Sequence, residues 1–176
     1  ISVNKTSSMA EQQRVILVTG ANKGIGLEVV KKILQQCPSK TKNIILLGSR
    51  DIQRGQDAIQ QLGSPPNVHL LQLDTSSKES IIAATDEIKQ KYNGHLDILV
   101  NNAGIAAREN SAEAAQKTFA TNYYGIKMIA EYMVPLVREH GRIVNVASTV
   151  GPMGLYLTSK ELQGKYTSPT LTAKEL

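Results

Sequence analysis

The sequence has no tryptophan, one phenylalanine and one cysteine among its 176 residues. The lone Cys37 rules out an internal disulfide framework and fits a reducing, cytoplasmic setting. No apolar run approaches the roughly 18 residues that a membrane helix needs, so no membrane partner is expected. Aromatic residues make up 4% of the chain and are not interleaved with the basic ones. A stacking platform for nucleic acid is therefore missing, and the net charge of +5 does not point to one. Internal repeats and low-complexity tracts are absent. Residues 1–13 are polar and irregular, without the apolar centre of a signal peptide, and are read as a disordered leader.

The length suits one domain, which usually takes about 100–200 residues. An apolar share of 41% and a charged share of 20% are ordinary for a globular protein, and no structural metal is required to hold such a core. Apolar runs recur at 14–19, 43–47, 68–73, 97–100 and 142–147. Each is rich in Val, Ile and Leu without strict alternation, as strands covered on both faces are. Between them lie amphipathic segments. Ile25, Val29, Ile33 and Leu34 share one helical face, and Ile81, Thr85, Ile88 and Tyr92 share another. A longer fourth helix is expected through Ala115, Phe119, Ile126, Ile129, Met133 and Val137, kinked near Pro135. Strand–helix alternation of this kind predicts an α/β, doubly wound parallel sheet of at least five strands with helices on both faces. A flavodoxin-like sheet would show the same alternation, so pattern alone leaves function open.

The turn after the first strand reads Thr19-Gly20-Ala21-Asn22-Lys23-Gly24-Ile25-Gly26. Gly20 suits a tight turn off the strand, Gly24 a close backbone approach to a ligand, and Gly26 close helix packing. The helix start then offers free N–H groups and a partial positive charge to a pyrophosphate, with Lys23 beside it. The spacing Gly-x3-Gly-x-Gly differs from the commoner Gly-x-Gly-x-x-Gly, but the strand before and helix after satisfy the context. This turn resembles the cofactor turn of the short-chain dehydrogenase/reductase family. Further landmarks occur in the same order as in that family. They are Asp74 after the third strand, Asn101-Asn102-Ala103-Gly104 after the fourth, Asn122 in the fourth helix and Ser148 at the end of the fifth strand. The resemblance implies a Rossmann-type fold and a nicotinamide cofactor. It places Gly20, Asn22, Lys23, Gly24, Ile25, Gly26, Asp74, Thr75, Asn101, Ala103 and Gly104 around that cofactor, with Asp74 near the adenine.

The end of the second strand reads Gly48-Ser49-Arg50-Asp51. An acid there suits the ribose of NAD, and an arginine suits the extra phosphate of NADP. Arg50, with Arg54 one turn into the next helix and Lys23 nearby, favours NADP(H), because a guanidinium holds a phosphate through two parallel bonds. Asp51 is the competitor: its carboxylate fits either the ribose hydroxyls or the cap of the helix starting near Ile52.

Two polar residues are candidates for catalysis. Asn122 lies between Phe119 and Ile126, where an amide must find partners. It is either a structural amide or, as the resemblance implies, the residue that helps hold a water and the active-site lysine. Ser148 sits at the carboxyl edge of the fifth strand, where doubly wound sheets bind ligands. It is either a turn serine or the donor that steadies a carbonyl oxygen becoming alkoxide-like. The family supplies its proton from Tyr-x-x-x-Lys on a helix. Tyr156 and Lys160 match that spacing, but so do Tyr123 and Lys127, and Gly151, Pro152 and Gly154 crowd the approach to Tyr156.

The stretches 20–26, 50–62, 96–105 and 141–146 resemble the NADPH-dependent carbonyl reductase branch of the family. Its members are commonly monomeric and carry a helical insertion between the serine strand and the tyrosine helix. Residues 14–150 are then the dinucleotide-binding domain and 151–176 the start of that insertion, with the working Tyr and Lys expected beyond Leu176. The implied activity is hydride transfer to a small-molecule ketone, aldehyde or quinone. The alternative is a dinucleotide-binding module without catalysis, a sensor or partner protein.

Overall fold

The structure is a computed structural model that describes residues 13–36, 43–107, 109–172 and 175. Cys37 and nearly all of the expected leader lie outside the described residues. The chain divides after Asn145 into two compact units.

The first unit alternates strand and helix: β1 (Arg14–Val18), α1 (Gly24–Gln36), β2 (Asn43–Ser49), α2 (Ile52–Gln61), β3 (Val68–Gln72), α3 (Lys78–Lys91) and β4 (Leu96–Asn101). Then come α4 (Ala112–Phe119), a π turn (Ala120–Gly125), α5 (Ile126–Met133), a 3-10 turn (Val134–Leu136) and β5 (Val137–Asn145). All five strands are parallel, in the order β3-β2-β1-β4-β5. The order matches the first five strands of the six-stranded Rossmann sheet, 3-2-1-4-5-6, and not a flavodoxin sheet. It reverses between β1 and β4, so the carboxyl ends of these two strands open the crevice where such sheets take ligands.

Side chains on β1 point alternately to two cores. Ile16 and Val18 join Leu27 and Val30 of α1, Ala58 of α2, and Ile45 and Leu47 of β2. Val15 and Leu17 join Ile81, Ala84 and Ile88 of α3, Leu99 of β4, and Ile129 and Met133 of α5. Helices therefore cover both faces, and the strands read as continuous apolar runs because both faces are dry. Asp97 joins three strands at the amino end. Its carboxylate accepts the Val15 N–H at 2.7 Å and pairs with the Arg138 guanidinium.

Three sequence expectations shift. In α1 the buried residues are Gly26, Leu27 and Val30, whereas Ile25 is 65% exposed. Ile25 sits in the first turn, beyond the part of the helix that reaches the sheet. The long fourth helix is interrupted by the π turn, and α4 buries none of its residues. A π turn takes in one residue more than an α turn, so an apolar stripe counted at 3.6 runs out of phase across it. Phe119, placed on that stripe, is accordingly exposed. Finally, β5 starts at Val137 rather than Arg142. Val137 pairs with Leu96, and a register shift separates this pair from Ile98 and Arg142.

The second unit, Val146–Leu176, carries α6 (Val150–Tyr156) and α7 (Lys160–Tyr166). Among the described residues no helix is long and apolar enough to cross a membrane.

Candidate functional site

The crevice begins at the turn between β1 and α1. Gly20 has φ +63°, and a Cβ there would lie 2.8 Å from the Ala103 Cα. Only glycine permits both the turn and this approach. The Ala21 N–H donates to the Gly48 carbonyl at 2.9 Å, which ties the turn to β2. At Gly26 a Cβ would meet the Asn102 Nδ2 at 2.5 Å and the Gly20 carbonyl at 2.7 Å. The helix thus starts pressed against its own turn and the loop after β4. Gly24 differs: an added Cβ would meet nothing within 4 Å. The first turn of α1, whose N–H groups lack intrahelical acceptors, opens on that free space.

The opposite wall is braced by Thr19. Its hydroxyl accepts the N–H groups of Asn102 and Ala103, both at 3.0 Å, and donates to the Val100 carbonyl at 3.3 Å. One donor and two lone pairs are all used. Asn102 returns the tie, donating from Nδ2 to the carbonyls of Thr19 and Gly20 at 2.9 and 3.2 Å. Asn101 turns elsewhere: its Nδ2 donates to the Asn145 Oδ1 at 2.8 Å, across β4 and β5.

Together these parts border a cleft of about 520 Å³, a size usual for small-molecule sites. Of the predicted cofactor residues, the turn contributes Gly20, Asn22, Lys23, Gly24 and Ile25. The β2 end contributes Arg50, the first turn of α2 Arg54, the β3 end Asp74 and Thr75, and the β4 end Ala103 and Gly104. Gly26 and Asn101 lie behind this lining. Asp51 caps α2, its Oδ1 accepting the Arg54 N–H at 2.9 Å. Its Oδ2 stands 3.8 Å from the Arg54 Nε. Asp74 closes a small turn by accepting from the Ser76 N–H and hydroxyl at 2.9 and 2.6 Å. Thr75 is buried, and a Cβ on Gly125 would lie 2.5 Å from its carbonyl, so the π turn packs directly on the loop after β3.

Asn122 lies in that π turn. Its amide grips the backbone of Ile105, accepting the N–H at 2.9 Å and donating to the carbonyl at 2.8 Å. The amide thus holds the loop that carries Ala103 and Gly104. Thr121 beside it lines the cleft.

Ser148 belongs to the second unit, where its Oγ accepts the Val150 N–H at 3.1 Å. Tyr156 ends α6 and Lys160 opens α7, which Ser159 caps by accepting the Leu162 N–H. The break between the helices takes the pair off any common helical face, so the Tyr-x-x-x-Lys spacing has no helix to act on.

The short chain dehydrogenase profile matches residues 14–161. The chain belongs to the short-chain dehydrogenase family. Within the family it is 41% identical over 175 residues to carbonyl reductase [NADPH] 1 of Sus scrofa, covering 96% of this chain and 58% of that relative. The chain thus spans a little under three fifths of that relative's length. Salutaridine reductase from Papaver somniferum is similar in structure, with 29% identity and a TM-score of 0.74 over 93% of this chain and 67% of its own. NADPH-bound carbonyl reductase from chicken fatty liver gives 27% identity and a TM-score of 0.68 over 83% and 64%.

The glycine and asparagine motifs leave unassigned the two residues that tie the walls of the cleft together. Thr19 and Asn102 carry the cross-brace between the two loops. Their signal is a polar residue at the buried end of a strand, which has to be paired. Nothing in a single sequence names the partner, since Thr19 and Asn102 meet only when β1 and β4 pair.

Proposed function

We propose that the chain is the cofactor-binding part of an NADPH-dependent carbonyl reductase, acting on a small-molecule ketone, aldehyde or quinone. One observation carries the proposal. Lys23, Arg50 and Arg54 line a single cleft with the first turn of α1, while one oxygen of the competing Asp51 carboxylate caps α2. The residues fit NADP(H) in chemistry. The α1 N-terminus and the Gly20–Gly26 turn take a pyrophosphate, and the open space at Gly24 leaves its backbone accessible. Arg50 and Arg54 offer paired donors to a ribose phosphate, with Lys23 as an added charge. Asp74 would lie near the adenine, as the resemblance implies, and Thr75, Ala103 and Gly104 would line the same cleft around the cofactor. The names of the relatives, carbonyl reductase [NADPH] 1 and NADPH-bound carbonyl reductase, support the same reading.

When bound, the nicotinamide supplies the hydride. The residues of this chain bind and orient. Thr19 and Asn102 keep the two cofactor loops in register. Asn122 fixes the backbone of Ile105, so the loop after β4 holds its shape while a ligand enters. For Ser148 we adopt the role that the resemblance implies, donation of a hydrogen bond to the carbonyl oxygen. Tyr156 and Lys160 receive no part in proton transfer. A cytoplasmic monomer with no nucleic-acid or membrane partner completes the proposal, supported by the single cysteine, the few aromatic residues and the resemblance to the monomeric branch.

The test is a pair of fluorescence titrations with NADPH and NADH on the wild type and on an Arg50→Met, Arg54→Met double variant. Charge-assisted hydrogen bonds contribute about 1.5–3 kcal/mol each when sheltered and less on an exposed surface. The expected loss is therefore about tenfold or more for NADPH and little for NADH. An equal loss for both cofactors refutes the phosphate assignment.

A further inference from the structure

A second groove, open and about 840 Å³ in volume, lies at the amino end of the sheet, away from the cofactor crevice. Arg14, Asp97, Arg138, Glu139 and Arg142 bring their charges to it. Asp97 is spent on the Arg138 guanidinium and the Val15 N–H. Glu139 is 90% exposed and stands 3.8 Å from the His140 Nε2. Among the described residues, Arg14 and Arg142 pair with no carboxylate.

Arg142 is held in place by its own strand. Its Nη1 donates to the carbonyls of His140 and Gly141 at 2.7 and 3.0 Å. Its Nε and Nη2 find no acceptor among the described residues, and they form an edge of the fork that takes two oxygens of one anion. A kink presents the two carbonyls: His140 has φ +64°, and a Cβ on Gly141 would lie 2.9 Å from the Asp97 carbonyl. Left-handed backbone at a residue other than glycine is strained, and such strain gathers at ligand clamps. The register brings in Arg14. Ile16, Ile98 and Arg142 form one row across β1, β4 and β5. Neighbours in a row project to the same face, and Arg14, two residues before Ile16, shares it. The two arginines start about 10 Å apart across the sheet and about 7 Å apart along it. Two long side chains close that span onto one small anion.

We propose that Arg14 and Arg142 form a binding site for a phosphate dianion, as the free ion or a small monoester, separate from the cofactor cleft. A phosphate dianion brings one charge for each arginine, and its three terminal oxygens suffice for both guanidinium edges. Bound there, it ties β5, at the edge of the sheet, to β1 across β4. The fold is then stabilised in proportion to occupancy.

The assay is an amide NMR titration of the full chain with inorganic phosphate and with glycerol 3-phosphate, at an ionic strength held with chloride at about 100 mM. Saturable shifts are expected at Arg14, His140, Gly141 and Arg142, with a Kd of about 1–10 mM, and the tighter of the two ligands names the source. Arg14→Gln and Arg142→Gln are each expected to weaken binding about 3–10-fold. Arg142→Lys keeps the charge without the fork and is expected to weaken it as well. Glu139→Gln removes a negative charge from the groove and is expected to tighten binding about twofold. Arg14 is exposed at the start of β1, so its variant decides the matter if Arg142→Gln does not fold. Shifts confined to the Gly20–Gly26 turn mean that phosphate goes only to the cofactor cleft, and they overturn the proposal. So do shifts that never saturate, or an affinity that Arg14→Gln and Glu139→Gln leave unchanged.

Discussion

Replacing Thr19 by valine removes one hydroxyl and keeps the side-chain shape. Thr19 is 1% exposed. Its hydroxyl is the acceptor for the N–H groups of Asn102 and Ala103 and the donor to the Val100 carbonyl. The valine methyl that takes its place can do none of this. Two N–H groups in a half-buried loop then lose their acceptor. Each orphaned donor costs about 1–3 kcal/mol, and the Val100 carbonyl keeps its bond from the Thr19 N–H at 3.0 Å. Water reaches part of the loop, so the sum falls near the lower end, at about 2–4 kcal/mol. In a chain of this size each kcal/mol lowers Tm by about 2–4 °C, which gives a drop of roughly 4–16 °C. Thr19→Ser is the control. It keeps the three bonds and loses one methyl group, for about 1 kcal/mol. Urea and thermal unfolding followed by circular dichroism measure both variants. A valine variant within 0.5 kcal/mol of wild type, as a rough threshold for surface-like tolerance, refutes the reasoning. A serine variant as damaged as the valine one refutes it too, because shape would then matter more than the hydroxyl.

Gly26→Ala is expected to cost about 1–3 kcal/mol and to weaken NADPH binding, because its methyl meets the Gly20 carbonyl and the Asn102 amide. Gly24→Ala meets nothing and carries only the strain of φ +57°, about 1 kcal/mol, so urea titration should rank it as the milder variant. Asn122→Ala releases Ile105, and amide hydrogen exchange at Ile105 should accelerate while the core strands stay protected. At α3, the Glu79 carboxyl is held below its ordinary value by its own backbone N–H and then by the Ser77 hydroxyl. A lowered folded value means that this stabilisation is present above the ordinary carboxylate range and is lost as pH falls through the folded value. Glu79→Gln should therefore lower stability slightly at neutral pH, leave the acid end nearly unchanged, and so flatten the acid limb of a stability-against-pH curve.

Much of the fold is legible in the chain because the relevant physics is local. Runs such as 44–47 are apolar at successive positions and rich in Ile and Leu, as a strand covered on both faces requires. Asp51 and Ser77 precede their helices, and both are caps in the structure. The glycine turn announces itself because Gly20 and Gly24 adopt positive φ, a conformation costly for other residues. What periodicity misread is equally local in cause. The stripe through Phe119 and Ile126 assumes one helical pitch, and the π turn between them changes it. The face through Ile25 assumes that α1 meets the sheet from its first turn, yet Ile25 borders the cleft.

The order of residues along the chain shows which of them favour turns, caps and charge, and hence that a glycine turn follows the first strand and arginines follow the second. Which of these meet depends on strand order and packing. The tertiary structure set β1 between β2 and β4, and so brought Thr19 to Asn102, Arg54 to the turn at Lys23, and the π turn to Thr75. It also separated Tyr156 from Lys160 by a helix break, which spacing alone does not show. The physical reason is the range of the forces. Backbone strain and capping act within a few residues, whereas the partners of a buried hydroxyl are chosen by strand order, across more than eighty positions of chain between Thr19 and Asn102.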